Sequence, residues 1–179
     1  MRKVELLLGS LLLLSLTAAA QDNPKAEASF GYSYVRANPN TSGVPSFNLQ
    51  GGSASLAYNP SDRFGIVGDF GGYHVGSISG TTVNSNLYTY LFGPRFSLRG
   101  KVTPYAQALF GGAHITGGAL ASSQNSFAMT VGGGVDVKVT DHVAIRLGQA
   151  EYLMTRFREI GPRVTQNNLR LSTGIVFRW

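Results

Sequence analysis

Large apolar and small polar residues alternate with a period of two through most of the chain beyond residue 25, and this pattern restricts the fold more than any other feature. Period two is the repeat of a β-strand, whose successive side chains point to opposite faces. Eight runs carry it: 26–36, 48–58, 63–74, 87–97, 104–114, 127–139, 143–154 and 166–179. In the first, Ala28, Phe30, Tyr32 and Tyr34 share one face, and Glu27, Ser29, Gly31 and Ser33 the other. The fourth sets Tyr88, Tyr90, Phe92 and Phe96 against Thr89, Gly93, Arg95 and Ser97. The sixth sets Phe127, Met129, Val131, Val135 and Val137 against Ala128, Thr130, Gly132, Gly134 and Asp136. The eighth sets Leu169, Leu171, Ile175, Phe177 and Trp179 against Arg170, Ser172, Gly174 and Arg178. One face is large and apolar; the other is small, polar or charged. The seventh run changes phase, with Val143, Ile145 and Leu147 in one parity and Ala150, Tyr152 and Met154 in the other, so a β-bulge near Gly148–Gln149 is expected.

Two environments produce such a two-faced strand. A soluble sandwich buries the large face and wets the polar one, whereas a membrane barrel turns the large face to lipid and keeps the polar face in its lumen. Charged residues make up only 13% of the chain, about half the usual share, too few for a wet outer surface. The runs also exceed the five or six residues of an ordinary strand and match the length of a tilted bilayer crossing. Links at 37–47, 75–86, 115–126 and 155–165 are long, and the intervening ones at 59–62, 98–103 and 140–142 are short. That alternation belongs to barrels with short periplasmic turns and long outer loops. The expected fold is therefore all-β, an eight-stranded antiparallel up-and-down transmembrane barrel with both ends in the periplasm. Tyr34, Tyr88, Phe127 and Tyr152 fall at outer strand ends, and Tyr58, Phe64, Phe96 and Trp179 at periplasmic ends, where amphipathic rings form interfacial girdles.

The first twenty residues follow another logic. Arg2 and Lys3, an apolar stretch from Leu6 to Leu16, and the small residues Thr17-Ala18-Ala19-Ala20 form a secretory signal peptide cut before Gln21. The apolar stretch is too short for a spanning helix, which needs about 20 residues. The expected organisation is a leader over 1–20, a short segment over 21–24 and a barrel over 25–179. The chain has no cysteine, which excludes disulfides, thiolate metal sites and a cysteine nucleophile. Its net charge of +6 is scattered rather than clustered, so no nucleic-acid partner is expected.

Several charged residues take the lumen parity: Glu27, Asp69, Arg95, Asp136, Arg146, Glu151, Arg170 and Arg178. An eight-stranded lumen is nearly filled by its own side chains, and buried charges need partners; a salt-bridge network is expected rather than a proton or ion relay. The glycine clusters Gly111-Gly112, Gly117-Gly118 and Gly132-Gly133-Gly134 lack the flanking residues of a phosphate loop and suit bends and tight interiors. Metal-ligand spacing is absent, and no cofactor is expected. Arg156, Arg158 and Arg163 in the last outer link are the one local basic concentration, placed to meet lipopolysaccharide phosphates or simply to solvate the rim.

These residues resemble the small eight-stranded outer-membrane barrels of the OmpA-transmembrane-domain and OmpX-like group, the outer membrane protein beta-barrel domain, over roughly 25–179. Ser172-x-Gly174-x-x-Phe177-x-Trp179 is the most specific part and looks like the group's assembly signal; Gly93-Pro94-Arg95-Phe96 and Pro104-Tyr105 also look like segments of it. The resemblance implies that the barrel-insertion machinery reads the last strand. It does not extend to the peptidoglycan-binding domain of full-length OmpA proteins, so wall tethering is not expected. Barrels of this architecture that deacylate lipid A use His-x-Ser with an acidic orienter; His114-Ile115-Thr116 comes nearest here, and His74 and His142 have no such neighbour, so no catalytic residue is expected. The expected function is non-enzymatic: a monomeric outer-membrane protein, in contact with membrane lipid and lipopolysaccharide, serving envelope integrity or surface contact through four outer loops. A narrow solute channel is the alternative, and a secreted lipocalin-like barrel a third reading.

Overall fold

The computed structural model describes residues 24–38, 46–78, 81–117, 124–158 and 163–179. The expected leader and most of the 21–24 segment lie outside the described residues. Eight strands follow in chain order: β1 (Ala26–Ala37), β2 (Phe47–Tyr58), β3 (Phe64–Ile78), β4 (Thr81–Ser97), β5 (Val102–Gly117), β6 (Gln124–Lys138), β7 (Val143–Arg158) and β8 (Arg163–Arg178). Each pairs antiparallel with its sequence neighbours, and β8 returns to β1, closing the sheet into an up-and-down barrel.

Most strands run further outward than the alternation suggests. β3 reaches Ile78 and β4 begins at Thr81, so the long link expected over 75–86 is largely a continued hairpin. The same holds where β5, β6, β7 and β8 extend beyond their apolar runs. Residues such as Thr81, Thr82, Asn84 and Ser85 are polar in both parities. Outside the bilayer neither face must be apolar, so the ladder continues without the pattern that betrays it.

The phase change in β7 has a clear origin. Val135 pairs with Gly148 and Asp136 with Arg146, leaving Leu147 as the extra residue of a bulge. Arg146 and Gln149 therefore both point inward, while Leu147 is 64% exposed on the outer wall. Opposite the bulge, the pairing of β7 with β8 also slips between Arg146 and Gln149.

The seam between β1 and β8 is closed by reciprocal backbone bonds: Ala26 N–H donates to Trp179 O at 3.1 Å, and Trp179 N–H to Ala26 O at 2.9 Å. Further along, Gly31 faces Gly174. A Cβ on Gly31 would lie 2.1 Å from Thr173 O, and one on Gly174 2.2 Å from Phe30 O. Only glycine permits backbones this close.

The outer wall is apolar. Phe30, Leu56, Ile66, Phe70, Phe92, Phe110, Val131 and Ile175 are each close to half exposed or more, a continuous surface that a water-soluble monomer does not display. Neighbouring rings interlock edge-on, Phe64 with Phe96 at 5.3 Å and Phe70 with Phe92 at 5.7 Å.

The barrel interior as the candidate functional site

Side chains of lumen parity fill the barrel, and they divide by height. The periplasmic and central part holds the charges. Glu27, Asp69, Arg95, Asp136, Arg146, Glu151, Arg170 and Arg178 all face inward, and none is more than 5% exposed. The structure brings them into two groups joined by the Gln107 amide.

The group near the periplasmic end forms around Glu27 and Asp136. Arg99 Nη1 donates to Glu27, Arg95 Nη1 reaches the other oxygen at 3.4 Å, and Arg178 Nε lies 3.4 Å away. Arg146 grips Asp136 with two parallel bonds, Nε at 2.9 Å and Nη2 at 3.2 Å, the bidentate geometry that makes guanidinium–carboxylate pairs strong. Arg178 Nη2 stands 3.6 Å from Asp136, so this side chain spans the two carboxylates. The guanidinium carbons of Arg95 and Arg146 both lie over the Tyr105 ring, at 4.6 and 4.9 Å from its centre. The aromatic ring attracts both cations. Gly134 makes the space: a Cβ there would meet Tyr105 Oη at 2.7 Å. That packing accounts for part of the Gly132-Gly133-Gly134 cluster.

The central group is built on Arg170, which is 1% exposed. Its Nε donates to Glu151 at 2.6 Å, and its Nη1 to Asp69 at 2.7 Å and to Tyr73 Oη at 3.2 Å. Gln107 connects the groups, and Gln149 braces the periplasmic one. Gln107 accepts from Arg95 Nε at 2.9 Å and donates to Glu151 at 2.8 Å. Gln149 accepts from both Tyr105 Oη at 2.8 Å and Arg146 Nη1 at 2.9 Å. Hydroxyls of Ser29, Ser33, Ser53, Ser55 and Ser172 pair along the β1, β2 and β8 side at 2.6 to 2.8 Å.

Arg99 was not among the charges picked out by parity, because it lies in the turn after β4. It nevertheless continues the inward parity of Arg95 and Ser97, and that was the available signal.

Toward the outer end the lumen changes character. Val35, Leu49, Val75, Leu87, Leu109 and Leu153 cluster with Ala113 and Ala128 inside the barrel, none more than 6% exposed. The inner face is thus not uniformly small or polar, which corrects the reading from alternation. Near the outer end both faces carry large apolar residues, as at Leu87 and Tyr88, so polarity no longer distinguishes them.

The C-terminal residues belong to the seam. Ser172 Oγ lies 2.7 Å from Ser33 Oγ, Phe177 packs edge-on against Phe30 at 6.5 Å, and Trp179 stacks on Phe177 at 6.5 Å. Arg156 is exposed on the outer wall of β7, its N–H donating to Ser126 Oγ at 2.9 Å. Arg158 and Arg163 face each other in register, and their side chains lie outside the described residues. His74 and His114 bond to Asn86 and Asn125, and His142 lies in the short β6–β7 turn. In that turn, a hydrogen bond and the nearby charge of Lys138, 2.6 Å away, hold the Asp141 carboxyl below the usual range. Among the described residues no three His, Asp or Glu side chains gather as a metal site would require.

Comparison with known proteins agrees with this architecture. Neisserial surface protein A superposes with a TM-score of 0.69 at 16% identity, covering 87% of this chain and 97% of that one. Ail, the attachment invasion locus protein of Yersinia pestis, gives 0.56 at 19% identity over 87% and 99% of the two chains. The N-terminal β-barrel domain of Pseudomonas aeruginosa OprF gives 0.56 at 16% identity over 88% and 100%. At such identities the likeness is one of fold. No curated protein matches the chain in sequence. The model of the outer membrane protein beta-barrel domain family matches residues 6–177, and with the closed barrel and its apolar wall this places the chain in that family and in the bacterial outer membrane.

Proposed function

We propose that this protein is a non-enzymatic, non-conducting barrel that contributes to envelope integrity and surface contact through its four outward-facing hairpins. The observation that carries this reading is the filled interior. A network of paired charges occupies the periplasmic and central lumen, and an apolar cluster lies outward of it. A conducting path needs continuous water, and such packing leaves little room for it. Arg156, Arg158 and Arg163 on the last hairpin are proposed contacts to lipopolysaccharide phosphates. The stacked C-terminus is proposed as the part read by the insertion machinery.

One observation favours the channel: the serine hydroxyls on the β1, β2 and β8 side form a polar track inside the wall. Purified protein in planar bilayers decides between the two. A silent bilayer is expected; reproducible single-channel currents reshaped by Ser33→Leu would favour the channel. The assembly reading is tested separately. Deleting Trp179 or changing Phe177→Ser is expected to leave export intact and strand the chain in the periplasm, so normal outer-membrane levels of either variant count against it.

A further inference from the structure

Every strand contributes one polar or basic residue to an outward-facing ring near its outer end. β1, β3, β5 and β7 supply Arg36, His74, His114 and Arg156; β2, β4, β6 and β8 supply Asn48, Asn86, Asn125 and Asn167. Basic side chains thus alternate with asparagines around the barrel. In three hairpins the two members stand directly opposite one another and are bonded. Arg36 Nη1 donates to Asn48 Oδ1 at 2.8 Å, and the Nδ1 atoms of His74 and His114 lie 2.9 and 2.7 Å from Oδ1 of Asn86 and Asn125. In the fourth hairpin Asn167 Oδ1 takes the Tyr152 hydroxyl at 2.5 Å, and Arg156 stands on the adjacent strand two residues beyond the partner of Asn167.

The register keeps this ring level. His74 is opposite Gln50, two residues from Asn48; His114 is opposite Tyr88, two from Asn86. Arg156 is opposite Phe127, two from Asn125; Arg36 is opposite Leu169, two from Asn167. Hydrogen-bonded neighbours climb as they circle a tilted barrel, so repeated steps back of this size hold a circle at constant height. From Ala26 to Arg36 a tilted strand rises roughly 25 Å, the height of the apolar band of such barrels. The ring therefore crowns the lipid-facing wall just outside Tyr34, Tyr88 and Phe127. All eight members are exposed or half-exposed.

The charge of the ring has one sign. Among the described residues, Glu27, Asp69, Asp136 and Glu151 point into the lumen, and Asp62 and Asp141 lie in periplasmic turns. No carboxylate among them faces outward at this level. His74 is flanked by Gln50, Asn86 and Tyr88, and His114 by Tyr88, Asn86, Asn125 and Phe127. None of these neighbours carries a charge at neutral pH.

We propose that this ring is a collar that binds the phosphate groups of the outer-leaflet glycolipid around the whole circumference. The proposal rests on the outer-membrane placement of the chain and extends the lipid contact from one hairpin to all eight strands. Arginine supplies planar donors matched to phosphate, histidine adds ring N–H donors, and asparagine fixes the orientation of Arg36, His74 and His114.

The test uses the folded, full barrel in detergent micelles. It is titrated with bisphosphorylated lipid A and with the same lipid dephosphorylated, and apparent Kd is read by native mass spectrometry. Folding of each variant is checked by the gel shift between boiled and unboiled samples. The phosphorylated lipid is expected to bind more tightly. With each surface cation worth about fivefold against an anionic headgroup, Arg36→Gln with Arg156→Gln loses on the order of ten- to thirtyfold. His74→Gln with His114→Gln, which keeps a hydrogen-bonding group at both positions, is expected to lose less than the arginine pair. Removing two cations at the periplasmic end, Arg63→Gln with Lys101→Gln, is expected to change nothing. Equal affinity for the two lipids, collar variants that lose no more than the periplasmic control, or displacement by millimolar inorganic phosphate alone would each overturn the proposal. Conductance through the lumen does not enter any of these readings, so a failure here is separable from a failure of the closed-barrel reading.

Discussion

The two halves of the interior fill the same kind of space with opposite chemistry. The periplasmic and central half packs Arg95, Arg99, Arg146, Arg170 and Arg178 against Glu27, Asp69, Asp136 and Glu151. The outer half packs Val35, Leu49, Leu87, Leu109 and Leu153 against one another. A charged filling is directional: each guanidinium must find its carboxylate, and a missing partner leaves an uncompensated buried ion. An apolar filling is non-directional, and its loss is felt as lost contact and residual cavity. Closure of the barrel thus demands volume rather than any one chemistry. The charged half adds positional specificity, and the apolar half excludes water from the outer end.

The sharpest way to break this contrast is to remove the centre of the charged half. Arg170→Ala leaves Asp69 and Glu151 unpaired and is expected to cost about 3–5 kcal/mol, read from urea unfolding in lipid vesicles. Replacing the whole set, Arg170→Met with Asp69→Asn and Glu151→Gln, is expected to recover most of that loss, because the central group then holds no unpaired charge. A triple variant as unstable as the single would mean that the charges stabilise the barrel beyond their mutual compensation.

In the apolar half, Leu109→Ala is expected to cost about 2–4 kcal/mol through lost burial and a cavity. Its cost should be insensitive to salt, which separates it from charge effects. One residue away on the same strand, Ala108 faces the membrane, and Ala108→Arg is expected to cost roughly 2–4 kcal/mol near the bilayer midplane. Folding yield into vesicles of increasing thickness checks it, and a harmless Ala108→Arg would show that the register of β5 is inverted.

The smallest effect lies outside the membrane. The hydrogen bond and charge of Lys138 lower the Asp141 carboxyl below its usual range. A folded-state value below the unfolded one makes the contribution present above the unfolded pKa, near 4, and lost as pH falls through the folded value. Because Asp141 is solvent-exposed, Lys138→Ala is expected to move the carboxyl signal in an NMR titration upward while leaving the unfolding midpoint within error.

Much of this architecture was legible in the residues for one physical reason. A bilayer imposes an apolar outer face at every second position, so parity alone separated Phe92 from Gly93, and the slip after Leu147 announced the bulge. Where the bilayer stops, so does the signal. The outer extension of β4 carries polar residues in both parities, and the chain read there as a loop. Leu87, Leu109 and Leu153 were illegible for the opposite reason, since both faces are apolar near the outer end. Arg99 kept the inward parity but stood beyond the end of its strand. The ring of basic residues and asparagines could not be read along the sequence at all, because its members become neighbours only when the register between strands is known.

The seam at Ala26 and Trp179 makes the barrel an all-or-nothing object. The first and last strands are neighbours in space and lie at opposite ends of the barrel sequence, so the bonds that close it join the most distant partners the chain has. Such contacts form late, after the long intervening loop has been organised. Until they form, β1 and β8 each present a row of unpaired donors and acceptors, and hydrocarbon cannot satisfy either row. A chain interrupted anywhere before β8 therefore keeps two raw edges and has no stable resting place in the bilayer. The seam acts as a proofreading step, admitting only polypeptides whose final strand has arrived.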